Sequence, residues 1–478
     1  MEARLFNRQF LLSKTRCESL RWACHNIGGY FLYAHPNLEL TVAHNHDVEA
    51  ILLGYLFDHQ VPERSNQDIL NGLVSMQKPD ALLERVDQCS GQYVLIFRSD
   101  KHCIVLHDAG GQQEIFYDTA FTTFASQPKL LQLVVQAAPI ADSRARQFYT
   151  SDVFNQSKVF VGSSTHLEDV WHLSPNHYLD LDQKKVVRCF PRQHRTSLTG
   201  EVAADRAIGM LRGFLRAASL RYDLRIGLTA GYDSRVLFLA SLGIECQYYT
   251  SKNSSKDNAV DIAIAKRLAR AHHQTLHVDE HMRRGISDEA MNIQDISIDF
   301  PRYRPLREYH PKKMIVNGNI SEIARSYYGD HAYESGAELA RVSGFGNSVH
   351  AHQIFEGWLS NHRTSFEQLG YDYRDMFYWE EKIGNWAAKG KTEAALNAIV
   401  YSPFCCRRLL EVLLSTDRSQ RDKYENNLYH TMIARMSPGA VHIPINPNYK
   451  TRVIKAMKRM GIYSLYRRMG MKYNLLKS

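Results

Sequence analysis

From residue 228 to residue 235 the chain reads Leu228-Thr229-Ala230-Gly231-Tyr232-Asp233-Ser234-Arg235: an apolar residue, a run of small ones, then an acid and a hydroxyl. Small residues let backbone N–H groups approach phosphate oxygens closely, and a helix opening here would add its positive dipole end. Each such contact is worth about 0.3–1 kcal/mol, so several amides and a cation must act together. Asp233 repels phosphate, but its carboxylate suits Mg²⁺, which bridges carboxylate and phosphate oxygens. Ser234 can cap a helix or donate to phosphate. An ordinary strand-to-helix turn has the same composition, so the loop alone leaves both readings open.

Such a loop needs a strand before it and a helix after it, and the flanking sequence offers both. Residues 224–228 predict a short strand and 234–242 a helix, preceded by a helix over 203–220. Strands over 247–250 and 274–278 flank a helix over 258–271, and Met314-Ile315-Val316 predicts a further strand ending in Asn317-Gly318-Asn319. From about residue 333 the chain reads as helical. Strands alternating with helices argue for a parallel sheet covered on both faces. The earlier part reads as mostly β, with a hairpin over 92–97 and 103–106 and strands over 114–117 and 177–181. Helices are predicted there over 47–58 and 68–76. The polar, basic stretch 192–199 divides the chain into parts of 1–192 and 200–478.

The bend resembles the pyrophosphate loop of the N-type ATP pyrophosphatases, Ser-Gly-Gly-x-Asp-Ser in asparagine synthetase and β-lactam synthetase. Thr229 stands for the serine and Ala230 for the first glycine; Gly231, Asp233 and Ser234 match. Alanine at that position costs about 1–2 kcal/mol if φ must be positive. Tyr248-Tyr249-Thr250 is similar to the strand whose backbone lines the family's adenine pocket. Asn317-Gly318-Asn319-Ile320-Ser321-Glu322 is similar to its second acidic loop, with Arg325, Tyr327 and Tyr328 continuing the likeness. Ser402-Pro403-Phe404 is similar to its Pro-Phe-Leu-Asp stretch. Arg418, Arg421 and Lys423 follow where the family carries a lysine over the phosphates, and Lys423 is the choice among them.

The resemblance implies a nucleotide site of Leu228, Thr229, Ala230, Gly231, Asp233, Ser234, Tyr249, Asn317 and Gly318. It places metal ligands at Asp233 and Glu322, catalytic roles at Glu322, Arg325 and Lys423, and ATP and Mg²⁺ as cofactors. Gly91-Gln92-Tyr93, the run from Asp108 to Tyr117, and the segment from Leu173 to Leu179 resemble class II glutamine amidotransferase domains. The implied fold is α/β: an amidotransferase-like α+β sandwich, then a parallel-sheet ATP-pyrophosphatase domain with a helical C-terminal part. Glutaminase chemistry requires a cysteine at the very start. Residue 2 is Glu2 and the nearest cysteine is Cys17, so that activity is expected to be missing.

The expected activity is an AMP- and pyrophosphate-forming amide ligase acting on a small-molecule or peptide carboxylate and an amine or ammonia. One departure matters: Asn319 stands where the family has a glutamate, and an amide cannot serve as a base. Tyr327 and His310 are alternatives. Ala230 and Asn319 also suit a homologue that binds nucleotide or a partner without turnover. The net charge of +9, from 59 Lys plus Arg against 50 Asp plus Glu, suits a third reading, tRNA modification. The absence of a zinc-ribbon or aromatic RNA-reading motif argues against it, and no nucleic acid is expected.

The tail over 449–478 is basic and suits either a solvated cap or peripheral contact with an anionic membrane; a homodimer stays open as well. Hydrophobic residues at 44% and charged residues at 23% are those of a globular protein. With no secretion signal or spanning run, a cytoplasmic location is expected. Eight cysteines without zinc spacing exclude a zinc-finger module, and Cys405-Cys406 reads as a buried pair of small side chains.

Overall fold

The computed structural model describes residues 6–76, 78–253, 258–281, 310–447, 453–454, 456–458 and 460–463. Residues 282–309 and most of the basic tail lie outside them.

Two antiparallel sheets of six strands each come first. One runs in the spatial order Val170–His172, Phe116–Asp118, Thr123–Ala125, Phe10–Ser13, Tyr30–Ala34, Cys24–Ile27; the other runs Lys185–Arg188, His177–Asp180, Cys103–His107, Cys89–Arg98, Val48–Asp58, Leu40–Asn45. Phe10, Leu12 and Leu32 from the first sheet share one core with Ile51, Leu53, Val94, Ile96 and Val105 from the second. That shared core makes the pair a sandwich.

The helix predicted over 47–58 is instead the longest strand, Val48–Asp58. Its apolar run is nearly continuous because both faces are buried. Ile51 and Leu53 point into the sandwich, while Ala50, Leu52 and Leu56 pack under the helices Asn66–Leu73 and Pro79–Asp87. A run without alternation carries no period to separate strand from helix. The strand predicted over 114–117 begins later, at Phe116. Before it, the Asp108 carboxylate accepts from the N–H groups of Gly110, Gln112 and Gln113, holding the chain in a loop.

The third sheet has five parallel strands in the order Leu276–His281, Cys246–Asn253, Asp223–Gly227, Lys313–Val316, Ile399–Tyr401. The helix Gly200–Ser219 leads into it, capped by the Thr199 hydroxyl, with Ala203, Ala207, Leu211, Phe214 and Ala218 buried along one face. The helices Tyr232–Ala240 and Ala259–Ala271 connect the first three strands in sequence. After residue 333 the chain is helical except for the edge strand Ile399–Tyr401, which the helical expectation did not include. Among the described residues no helix is long and apolar enough to cross a membrane.

Strand order decides where chemistry can sit. The chain lays strands outward on one side of Asp223–Gly227, then returns to place Lys313–Val316 on its other side. The carboxyl ends of these two neighbours form a topological switch point, where open α/β sheets hold their ligands. The bend at 228–234 follows one strand and the loop at 317–322 the other.

The sandwich is bound closely to the later elements. Tyr55 Oη donates to the Val400 carbonyl at 2.9 Å, and Trp379 Nε1 donates to the Ala109 carbonyl at 2.7 Å. Trp379 lies in a π-helical stretch, Tyr378–Ala387, whose neighbouring Glu380, Glu381 and Asn385 are also buried. Gly384 of the same stretch sits so near Pro175 that a Cβ there would lie 2.4 Å from its ring.

Candidate functional site

The bend closes on itself through its hydroxyls. Ser234 Oγ accepts from the Thr229 N–H at 3.1 Å and lies 2.9 Å from Thr229 Oγ1, which in turn accepts from the Gly231 N–H at 3.2 Å. Gly231 is extended, with φ −74° and ψ 167°, and the helix Tyr232–Ala240 starts immediately after it with no side-chain cap. The first-turn amides are thus left for another acceptor. Ala230 is not among the residues of positive φ, so the alanine carries none of the strain weighed from the sequence. Its buried carbonyl accepts from the Asn446 N–H at 3.1 Å.

Arg235 fixes the bend from behind. Its buried guanidinium donates to the carbonyls of Ile443 at 2.6 Å and Pro444 at 2.7 Å. Burial lowers its pKa to about 10. Tyr249 joins the bend to the next strand, since its carbonyl accepts from the Leu228 N–H at 2.8 Å, while its ring lies under the Arg225 guanidinium.

The second loop meets the first. A Cβ on Gly318 would stand 2.5 Å from the Asp233 Cβ, so the two backbones approach as only glycine allows. Asp233 and Glu322 converge on one guanidinium: Arg325 Nη1 is 3.2 Å from Asp233 Oδ2, and Nη2 is 3.7 Å from Glu322 Oε1. The two carboxylates remain 17% and 25% exposed, so the pair is neither sealed in the core nor on the open surface. Burial, reinforced by the charge of Asp233, raises the Glu322 pKa to about 7. Burial works against the charge of Arg325, but the two carboxylates outweigh it and its pKa rises.

Asp233 Oδ1 and Glu322 Oε2 are buried oxygens that accept no hydrogen bond from the described residues. Hard, unsatisfied carboxylate oxygens at the mouth of a phosphate-type bend fit Mg²⁺, which draws its remaining ligands from phosphate and water. Among the described residues there is no cluster of three or more His, Cys, Asp or Glu that could hold a metal. His272 is engaged by the Leu268 carbonyl and the Ser437 hydroxyl.

Of the three basic residues before 424, Arg418 and Arg421 are engaged by carboxylates and Lys423 lies over Tyr327. Arg418 pairs with Asp330, Asp372 and Asp375, and Arg421 with Asp375. Lys423 Nζ stands 3.6 Å from the centre of the Tyr327 ring, which stacks on Tyr378 at 4.5 Å. Burial raises the Tyr327 pKa, and the nearby charge of Glu322 adds to it. The backbone of Asn319 is held in the loop: its N–H donates to Asn317 Oδ1 at 3.3 Å and its main-chain carbonyl accepts from the Ser402 hydroxyl.

Sequence reasoning missed Lys391. It lies in the helix Ala388–Ala395, is 1% exposed, and donates from Nζ to Asn317 Oδ1 at 3.0 Å. Burial lowers its pKa to about 8. Lys389-Gly390-Lys391-Thr392-Glu393 reads as a solvated helix face, so no signal in the sequence could have found it. Cys405 and Cys406 are buried as expected; Cys405 Sγ donates to Asp108 Oδ1 at 3.1 Å, and Cys406 caps the helix Arg407–Leu414.

No protein-family model matches the chain, and no curated protein does. Among solved structures, one that it is similar to is a glutamine phosphoribosylpyrophosphate amidotransferase from B. subtilis complexed with ADP and GMP. Sequence identity is 11%, the match covers 68% of this chain and 72% of that one, and the TM-score is 0.24. A superposition that loose carries no inference about chemistry. The likeness to asparagine synthetase therefore rests on the residues and on their placement.

Proposed function

We propose that this chain is an ATP-dependent amide ligase that activates a carboxylate as an acyl-adenylate and has no glutaminase activity. The observation that carries the reading is the meeting of Asp233 and Glu322, with orphaned oxygens, beside an uncapped helix start at the switch point. In the first step a substrate carboxylate oxygen attacks the α-phosphorus of ATP. The bond to the bridging oxygen breaks, and pyrophosphate departs with the electron pair. An amine nitrogen then attacks the acyl carbon, the bond to AMP breaks, and the amine gives up a proton.

The residues divide this work. The first-turn amides of the helix that starts at Tyr232 would face the phosphates, and Thr229 and Ser234 keep the bend in shape. Asp233 and Glu322 would hold Mg²⁺, whose charge would steady the departing pyrophosphate. Lys423 adds a second cation there. Asn319 accepts no proton, so the base lies elsewhere. Cys17 offers no substitute for a terminal thiol: it is buried, its N–H donates to Tyr33 Oη, and its sulfur rests 3.2 Å from Ser19 Oγ.

Exchange of labelled pyrophosphate into ATP, measured over a panel of carboxylates, tests the reading. A carboxylate that drives exchange, and releases AMP when an amine or ammonium is added, is the expected result; ATP turnover to ADP would refute it. One observation favours a second reading, a homologue that binds nucleotide without turnover. Arg325 bridges the two carboxylates, where a guanidinium can replace a divalent cation. Nucleotide binding without exchange on any carboxylate would select that reading.

A further inference from the structure

Lys423 comes from the turn after Arg418–Arg421, on a long and flexible side chain. A lysine carries about 2 kcal/mol of rotamer entropy, so a useful phosphate contact requires something to limit its excursions. Tyr327 is placed to do so. The ammonium lies over its ring at 3.6 Å, well within the range of a cation–π contact. Tyr327 is itself held by Tyr378, stacked at 4.5 Å with 30° between the planes. Tyr378 is fixed in turn, because it opens the π-helical stretch whose next residue, Trp379, donates to Ala109 in the sandwich.

Tyr327 also belongs to the acidic loop's own neighbourhood. It follows Arg325 by two residues, and its phenol lies in the field of Glu322 and Arg325. The ring thus neighbours two things a phosphate site needs together, an acidic loop and a cation.

We infer that Tyr327 is a positioning residue, clamped by Tyr378, whose ring face holds the Lys423 ammonium ready for the phosphates. This rests on the reading of the site given under Proposed function. The side chain works through its face, so Tyr327→Phe should preserve the effect and Tyr327→Leu should lose it.

The test is the affinity of the full-length chain for magnesium pyrophosphate, by calorimetry, in wild type, Y327F, Y327L, K423M, D233N and the Y327L/K423M double variant. Expected are about a tenfold loss for Y327L, the size of one partly desolvated cation–π contact, and a change within about twofold for Y327F. Tyr327→Leu made on top of Lys423→Met should cost nothing further, which subtracts any general loosening caused by the smaller side chain. Near-wild-type affinity for Y327L beside a weakened K423M overturns the inference and leaves the site reading standing. Equal losses from Y327L with and without Lys423 overturn it as well. Wild-type affinity that D233N does not change brings down the site reading and the inference with it.

Discussion

Gly318 lies against Asp233 so closely that a single methyl group on the glycine would fall 2.5 Å from the aspartate's Cβ. The neighbouring strands Asp223–Gly227 and Lys313–Val316 bring the two loops to the same edge, and this contact sets how near they come. Gly318→Ala should therefore lower stability by about 1–3 kcal/mol, the usual cost of overpacking. It should also push Asp233 away from Arg325. Thermal melts and pyrophosphate exchange on the same variant check both effects; an unchanged melt would show that the loops have slack.

Asp233→Asn and Glu322→Gln should each reduce exchange by about 10²-fold or more, the scale of removing one preorganised electrostatic group. The net change in stability should be small, since each substitution relieves the repulsion between the two carboxylates but weakens the pairing with Arg325. A variant that lost exchange only because it unfolded would show itself in the melt.

At Ala230 a glycine should be the worse residue. The backbone at this position does not have positive φ, so Ala230→Gly adds only freedom in the unfolded chain. A loss of about 0.4–1 kcal/mol in denaturant titration is expected. A gain would mean that the bend is strained.

Two acids outside the site should shape the pH dependence of stability. Burial, with smaller contributions from neighbouring carboxylates, raises Glu114 and Glu381 to about 8. Unfolding returns each to the ordinary glutamate range of about 4.3. Between those values the folded state holds a proton that the unfolded state has released, so stability falls as pH rises and levels off above about pH 8. Glu381 accepts from the Gly162 N–H at 2.9 Å, a contact a glutamine oxygen can keep. Glu381→Gln should flatten part of the slope between pH 5 and 8; a slope identical to wild type would show that Glu381 is ionised in the fold. Glu114 and His172, 3.5 Å apart, form a neutral pair on this account, since burial also lowers His172 to about 3.

How much of this could be read beforehand follows from what sequence encodes. Four of the five parallel strands were legible because each apolar run was short and bounded by small or polar residues, and the bend because small residues followed by an acid and a hydroxyl suit a strand-to-helix turn. The strand Val48–Asp58 was not, because burial on both faces erases alternation. Arg325 was named from the acidic loop, but its bridging of Asp233 and Glu322 depends on backbone geometry no spacing reveals. Lys391 was invisible, since its burial comes from the tertiary placement of an ordinary-looking polar helix. Arg418 and Arg421, passed over in favour of Lys423, are engaged by Asp375, a pairing that their spacing does not reveal.

The π-helical stretch Tyr378–Ala387 ties the two halves of the chain into one load path. With Trp379 hung from Ala109, His172 against Asn385, and Gly384 pressed on Pro175, the first half of the chain serves as the wall to which the second half's aromatic stack is bolted. A chain cut back to residue 200 would leave Trp379, Asn385 and Gly384 without the partners that brace them, so the first half cannot be removed without loosening the second.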